Sequence, residues 1–183
     1  MAVSVENKRQ VDSMEALLEQ ILFLDKVEIF KNLSLDDLGQ IAGITDTQHY
    51  QEGETLFLKG DPGNFAYIIV SGEVELFTGR LQGKHEVVGR LYNGACFGEM
   101  ALLDGRPRSA GAVVLGESIL ARIPREDFLR LMHRFPSIAL GIITLLSNRL
   151  RQTNDEYNRF RAAVRDFPEA YEKAASVVPG GQG

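Results

Sequence analysis

Helices at both ends and a strand-rich centre between them predict an α+β fold for this chain of 183 residues. Two observations carry that reading. Between Thr47 and Ile123, short apolar runs alternate with glycine-containing turns at near-regular spacing, the texture of a β-sandwich or barrel. On either side, apolar residues recur three and four positions apart, the spacing of amphipathic helices.

The elements follow in order. Residues 1–11 are polar, and a frayed start is expected there. From Asp12, the positions Met14, Leu17, Leu18, Ile21, Leu22 and Leu24 keep helical spacing, which predicts an amphipathic helix with its apolar face on the body. Ser34 is placed to cap a second helix, with Asp36 and Asp37 favouring the positive end of its dipole and Gly43 marking its stop. Residues 1–46 thus form an N-terminal helical segment. Within the central stretch, 47–123, turns are expected at Glu52-Gly53-Glu54, Lys59 to Gly63, Val70 to Glu73, Gly79 to Lys84 and Tyr92-Asn93-Gly94. Tyr67 to Val70 reads as a fully buried strand, and Val74 to Phe77 continues after the Ser71-Gly72 turn.

Pro124 opens a helix that repeats apolar residues through Phe128, Leu129 and Met132, and Phe135-Pro136 breaks it. A long helix then runs from Pro136 to about Arg161. Its positions Ala139, Ile143, Leu146, Leu150, Thr153, Tyr157 and Phe160 step alternately by about four and three, a heptad seam of the kind that faces another helix. Up to Leu146 the seam has an equal alternative, which is packing on the central sheets. Residues 124–162 therefore hold the C-terminal helices and a dimerisation seam, and Asp155, Glu156, Arg159 and Arg161 form a solvated charged face. Residues 163–183 are a tail, with a short helix expected over Phe167 to Ala174 and a flexible end.

Composition bounds the function. Apolar residues make up 44% and charged residues 25% of the chain, ordinary for a globular protein. Twenty basic against 25 acidic residues leave a net charge of −5, so the surface as a whole does not attract nucleic acid or anionic membrane. No apolar run reaches the about eighteen residues of a membrane span, and the first residues lack a signal-peptide core, which together predict a cytoplasmic location. The single cysteine, Cys96, reads as a buried small hydrophobe.

The stretch from Phe97 to Ala110 departs from what packing asks for. Gly98 leaves the backbone open just before a short helical turn at Glu99, Met100, Ala101 and Leu102, whose free N–H groups suit a phosphate. Arg108 supplies a forked, permanently charged partner to two phosphate oxygens, and Ser109 adds a hydroxyl donor. A carboxylate is repulsive beside a phosphate, so Glu99 makes sense as the acceptor of a sugar hydroxyl on the same ligand. Phosphate plus ribose means a nucleotide.

Phe97-Gly98-Glu99, the apolar run Met100 to Leu103, and Pro107-Arg108-Ser109-Ala110 resemble the phosphate-binding cassette of the cyclic-nucleotide-binding domain family. Catabolite activators, regulatory subunits of cyclic-AMP-dependent protein kinase and cyclic-nucleotide-gated channels belong to it. The likeness runs from about Leu24 to Phe160. It implies an eight-stranded antiparallel β-roll, a double-sheet jelly roll, flanked by N-terminal helices and a long C-terminal helix. It also implies Glu99 on the ribose 2′-hydroxyl, Arg108 with Ser109 on the cyclic phosphate, and Leu76 and Val88 on strands lining the sugar and base. Catabolite activators offer polar side chains to adenine from the long helix across a dimer, which places Thr153 and Asn154 at the base edge. The expected ligand is cyclic AMP ahead of cyclic GMP, because Ser109 agrees with catabolite activators and differs from the alanine or threonine of kinase-type members.

Enzyme readings find no support in the sequence. His49, His85 and His133 are isolated, so no metal site is expected; Gly79 to His85 lacks P-loop spacing, and Ser71 lacks the glycine that leads a nucleophile elbow. The expectation is a non-enzymatic cyclic-nucleotide sensor without cofactor, without a DNA-binding domain, and with no direct contact to nucleic acid or membrane. It is expected to pair as a homodimer through the long helix and to signal to a protein effector not identified by the sequence. The rival reading is a ligand-free scaffold on the same roll.

Overall fold

The computed structural model of the protein describes residues 2–81 and 84–166. The chain divides into two compact units at Ile142/Ile143.

In the first unit, α1 spans Ala2–Leu24, so the helix begins ten residues before the expected Asp12. The polar residues there include no glycine or proline, and nothing in them stops a helix. The expected burial of the α1 apolar face holds only at its end. Leu24 is fully buried, while Met14, Leu17, Leu18 and Leu22 are exposed. A 3-10 turn at Glu28–Phe30 leads to α2, Leu35–Ala42. Ser34 caps α2 as the sequence predicts: its Oγ accepts from the Asp37 N–H at 3.2 Å, and the Asp37 carboxylate accepts in return from the Ser34 N–H at 3.4 Å.

Eight strands follow: β1 Asp46–Tyr50, β2 Thr55–Phe57, β3 Phe65–Ser71, β4 Val74–Leu81, β5 Lys84–Leu91, β6 Cys96–Phe97, β7 Gly111–Val114 and β8 Ser118–Pro124. They form two antiparallel four-stranded sheets, in the orders β1-β8-β3-β6 and β2-β7-β4-β5. Strands adjacent in the chain are mostly parted between the sheets, which closes the roll around one core. That core takes Tyr67, Ile69, Phe97 and Leu120 from the first sheet and Val74 and Ala112 from the second. The expected eight-stranded double-sheet roll is the fold observed.

A short helix, α3 (Glu99–Asp104), is inserted between β6 and β7. After β8 the chain forms α4, Arg125–Arg134, with Pro124 as its N-cap rather than its first residue, and α5, Pro136–Asp166. The first turns of α5 meet the N-terminal helical segment. A Cβ on Gly141 would lie 2.4 Å from Leu33 Cδ2, so a larger residue there would have to displace the Leu33 side chain. Ser137 Oγ donates to Asp37 Oδ1 at 2.7 Å.

On α5 the buried apolar positions are Ile138, Ile142 and Leu145, each one residue before a position of the predicted seam. The seam positions Ile143 and Leu146 are exposed. In the second unit Leu150, Tyr157 and Phe160 are exposed as well, at 63%, 58% and 60%. The helix expected over Phe167 to Ala174 lies outside the described residues. Among the described residues no single helix is long and apolar enough to cross a membrane.

Asp37 is a buried carboxylate without a cationic partner among its hydrogen bonds. Burial raises its pKa, but the hydrogen bonds from Ser137 and from Ser34 outweigh that and hold it below the ordinary carboxylate value. A depressed folded pKa contributes stability that is fully present above about pH 4 and is lost as pH falls through the folded value. Asp37→Asn is expected to lower the free energy of unfolding in urea by about 1 to 3 kcal/mol at pH 7. The gap to wild type should close below about pH 4; a gap that stays constant with pH would show that the charge plays no part.

Candidate functional site

The site is built around α3. Its N-cap, Gly98, has φ of 74°, a left-handed conformation that favours glycine. Ten residues on, Arg108 returns to the same point. Its Nη1 donates to the Gly98 carbonyl at 3.0 Å and its Nη2 to the Phe65 carbonyl at 2.6 Å, while the guanidinium lies 4.1 Å from the centre of the Phe57 ring. A Cβ on Gly98 would stand 2.4 Å from Nη1, so the glycine is required twice, for φ and for the space the arginine fills.

The backbone holds Arg108 as firmly as its side chain does. Its N–H donates to the Asp61 carbonyl and its carbonyl accepts from the Gly60 N–H, both at 2.9 Å. Asp61 also braces that loop, with its carboxylate accepting from the Leu58 N–H at 2.8 Å. The turn predicted at Lys59 to Gly63 is thus one wall of the site.

Arg108 is 5% exposed, and its Nε is buried with no hydrogen-bond partner. Its hydrogen bonds go to two carbonyls and none to a carboxylate. Burial pushes its pKa down from the usual guanidinium range, against the pull of Tyr67, Asp61 and Glu99, yet an arginine stays charged at any pH a protein survives. What results is a fixed positive charge in an apolar recess with donor capacity left over. Such a group is complementary to a compact anion.

Arg108 lines a cavity of about 370 Å³. Phe97, Gly98, Glu99, Met100, Ala101, Ser109, Ala110 and Leu76, all named from the sequence, share that lining. Phe57, Leu91, Cys96, Asp104, Arg106 and Pro107 also line it and were not singled out as pocket residues. Cys96, expected to be a buried small hydrophobe, is half-buried against the cavity. The wall is mainly apolar with a few polar groups, the composition of a small-molecule site.

Val88 is not in the lining and is 59% exposed. The reason is a register shift in β4–β5, where Leu76 pairs with Gly89 and Phe77 with Val87, which leaves Val88 as the unpaired residue of a bulge. The strand's contribution to the cavity comes instead from its last residue, Leu91. The first turn of α3, which lines the same cavity as Arg108 and Ser109, begins with backbone N–H groups that a helix start leaves without intrahelical acceptors. Thr153 and Asn154 lie on α5 in the other unit, and both are exposed.

Residues 47–135 match the cyclic nucleotide-binding domain. The chain is 33% identical over 150 residues to the Cyclic AMP receptor protein of Thermus thermophilus, covering 82% of this chain and 67% of that protein. It is 36% identical over 110 residues to the cAMP-dependent protein kinase regulatory subunit of Emericella nidulans, which is 60% of this chain but only 26% of that subunit. The fold is similar to the crystal structure of the Thermus thermophilus Catabolite Activator Protein, with a TM-score of 0.62 at 34% identity over 73% of this chain and 63% of that one.

Proposed function

The chain belongs to the cyclic nucleotide-binding domain family, and from that premise we propose that it is a cyclic-nucleotide sensor, a binding module rather than an enzyme. The carrying observation is Arg108, a buried guanidinium with no carboxylate among its hydrogen bonds, in the lining of a cavity that Glu99 and Ser109 also line. Arg108 and Ser109 bind the cyclic phosphate, and Glu99 accepts from the ribose 2′-hydroxyl. Cyclic AMP is the preferred ligand over cyclic GMP. Both relatives named above carry cyclic AMP in their names, and Ser109 follows the catabolite-activator pattern.

The exposed seam supports pairing of two chains along α5, through Leu146, Leu150, Tyr157 and Phe160. Thr153 is the hydroxyl in that seam, and with Asn154 it reaches the base edge in the paired state. The signal then leaves through α5 to a protein effector, since seating the base and pairing the helices favour one another.

A ligand-free scaffold is the second reading, and one observation favours it: both amino groups of Arg108 already have carbonyl acceptors and the cation already has an aromatic face. Calorimetry with cyclic AMP separates the two. Wild type is expected to bind, and a ligand at about a hundredfold its Kd should raise stability by about 2.7 kcal/mol. Arg108→Ala is expected to lose about 2 to 5 kcal/mol of binding free energy with the fold retained. Affinity unchanged in that variant would remove Arg108 from the site. No stabilisation of wild type by any cyclic mononucleotide would leave the scaffold.

Glu99→Ala should weaken cyclic AMP binding far more than binding of its 2′-deoxy analogue, because the contact it removes exists only with the former. Equal losses would refute the ribose role. Thr153→Val is expected to give a dimer at least as stable as wild type that binds cyclic AMP less tightly and separates it less from cyclic GMP. Sedimentation of wild type as a monomer at about tens of micromolar, with and without ligand, would end the pairing proposal.

A further inference from the structure

Two arginines flank Pro107 in the wall of the cavity, and they differ in what they can meet. Arg108 is 5% exposed and faces inward on the Phe57 ring, so it acts on a ligand that has already entered. The Arg106 side chain is 84% exposed. These two are the only cations in the described lining, which also carries the carboxylates of Glu99 and Asp104. The chain as a whole has a net charge of −5. An approaching anion therefore meets a field that is repulsive on average and a binding charge that is shut away.

We infer that Arg106 is the capture residue of the site. It draws the nucleotide phosphate to the mouth of the cavity and passes it inward to Arg108, while Asp104 sets how much of its charge acts on the solvent side. This rests on the reading of the ligand as a cyclic nucleotide. The local chemistry fits the division of labour. Asp104 Oδ1 accepts from the Arg106 N–H at 2.9 Å, which fixes the turn, but Asp104 Oδ2 is 3.9 Å from Arg106 Nε, a loose approach that leaves most of the guanidinium open. Pro107 then fixes the chain between the two arginines. A rim charge of this kind changes the association rate and its salt dependence, whereas a buried hydrogen-bonded charge changes dissociation.

The test is stopped-flow binding of cyclic AMP carrying a fluorophore on its base to the full chain. It is run at about 0.01 M ionic strength, where the Debye length is about 30 Å, and at about 1 M, where it is about 3 Å. At low salt Arg106→Gln should lower the association rate constant about three- to tenfold and leave dissociation within about twofold. Asp104→Asn, which keeps an acceptor for the turn and removes the charge, should raise association. Both differences should vanish at high salt. An association rate indifferent to Arg106, a loss found mainly in dissociation and persisting at 1 M, or slower association in Asp104→Asn would each overturn the inference while wild type still binds. A wild type that does not bind the probe fails the functional reading itself.

Discussion

A guanidinium kept charged in the interior of a β-roll is the constraint on which the rest of the site depends. Arg108 gains nothing from solvent and has no carboxylate among its hydrogen-bond partners, so its position has to be fixed by the backbone. The Gly98 and Phe65 carbonyls supply acceptors, and Phe57 supplies the negative face of a ring. Those contacts come from β2, β3 and the N-cap of α3, so the charge cannot be seated until both sheets are paired. The same arrangement leaves Nε without a partner. The cation is held in place but is not neutralised, which suits a group reserved for an anion.

What could be read in the sequence was what is local. The cassette from Phe97 to Ala110 is contiguous, its glycine, acid, arginine and serine stand at fixed offsets, and the structure brings them to one cavity. The Ser34 cap and the glycine-marked turns were legible for the same reason, since a cap or a turn is decided within four residues. Phe57 and Leu91 carry no local mark. They enter the site through the register in which β2 pairs with β7 and β5 with β4 in the second sheet, and register is not marked on the residue itself. Val88 was misplaced by one such feature, a bulge that moves it out of the alternation on which its placement relied. The burial of the α1 face failed differently. Helical spacing establishes that a face is apolar, but not what covers it, and Met14, Leu17, Leu18 and Leu22 remain exposed in this single chain.

The same distinction governs α5. Ile138, Ile142 and Leu145 are buried, while the heptad positions Ile143, Leu146, Leu150, Tyr157 and Phe160 are exposed. One helix thus carries two apolar stripes offset by a single residue, and a periodicity count alone merges them. The first turns are positioned by two contacts, the Leu33 side chain against Gly141 and the Ser137 hydroxyl on Asp37. That carboxylate also closes the capping box of α2, so one buried group orients the starts of two helices.

The cassette helix is clamped at three points, and each clamp is a glycine at which a side chain would collide. A Cβ on Gly63 would come within 2.2 Å of Ala101, one on Gly98 within 2.4 Å of Arg108, and one on Gly105 within 2.8 Å of Arg125. These contacts join α3 to the β2–β3 loop, to the buried cation and to the first residue of α4 in turn. Arg125 is itself tied to the sheet, because its N–H donates to the Asn64 carbonyl at 2.8 Å. Close packing of this kind transmits displacement rather than absorbing it. Of the three clamps, Gly63 is the stiffest, since its neighbours include the Ala101 backbone, whereas at Gly105 the neighbour is the end of the long Arg125 side chain. Contact at Gly105 and Arg125 thus brings the end of α3 against the first side chain of α4, both within the first unit.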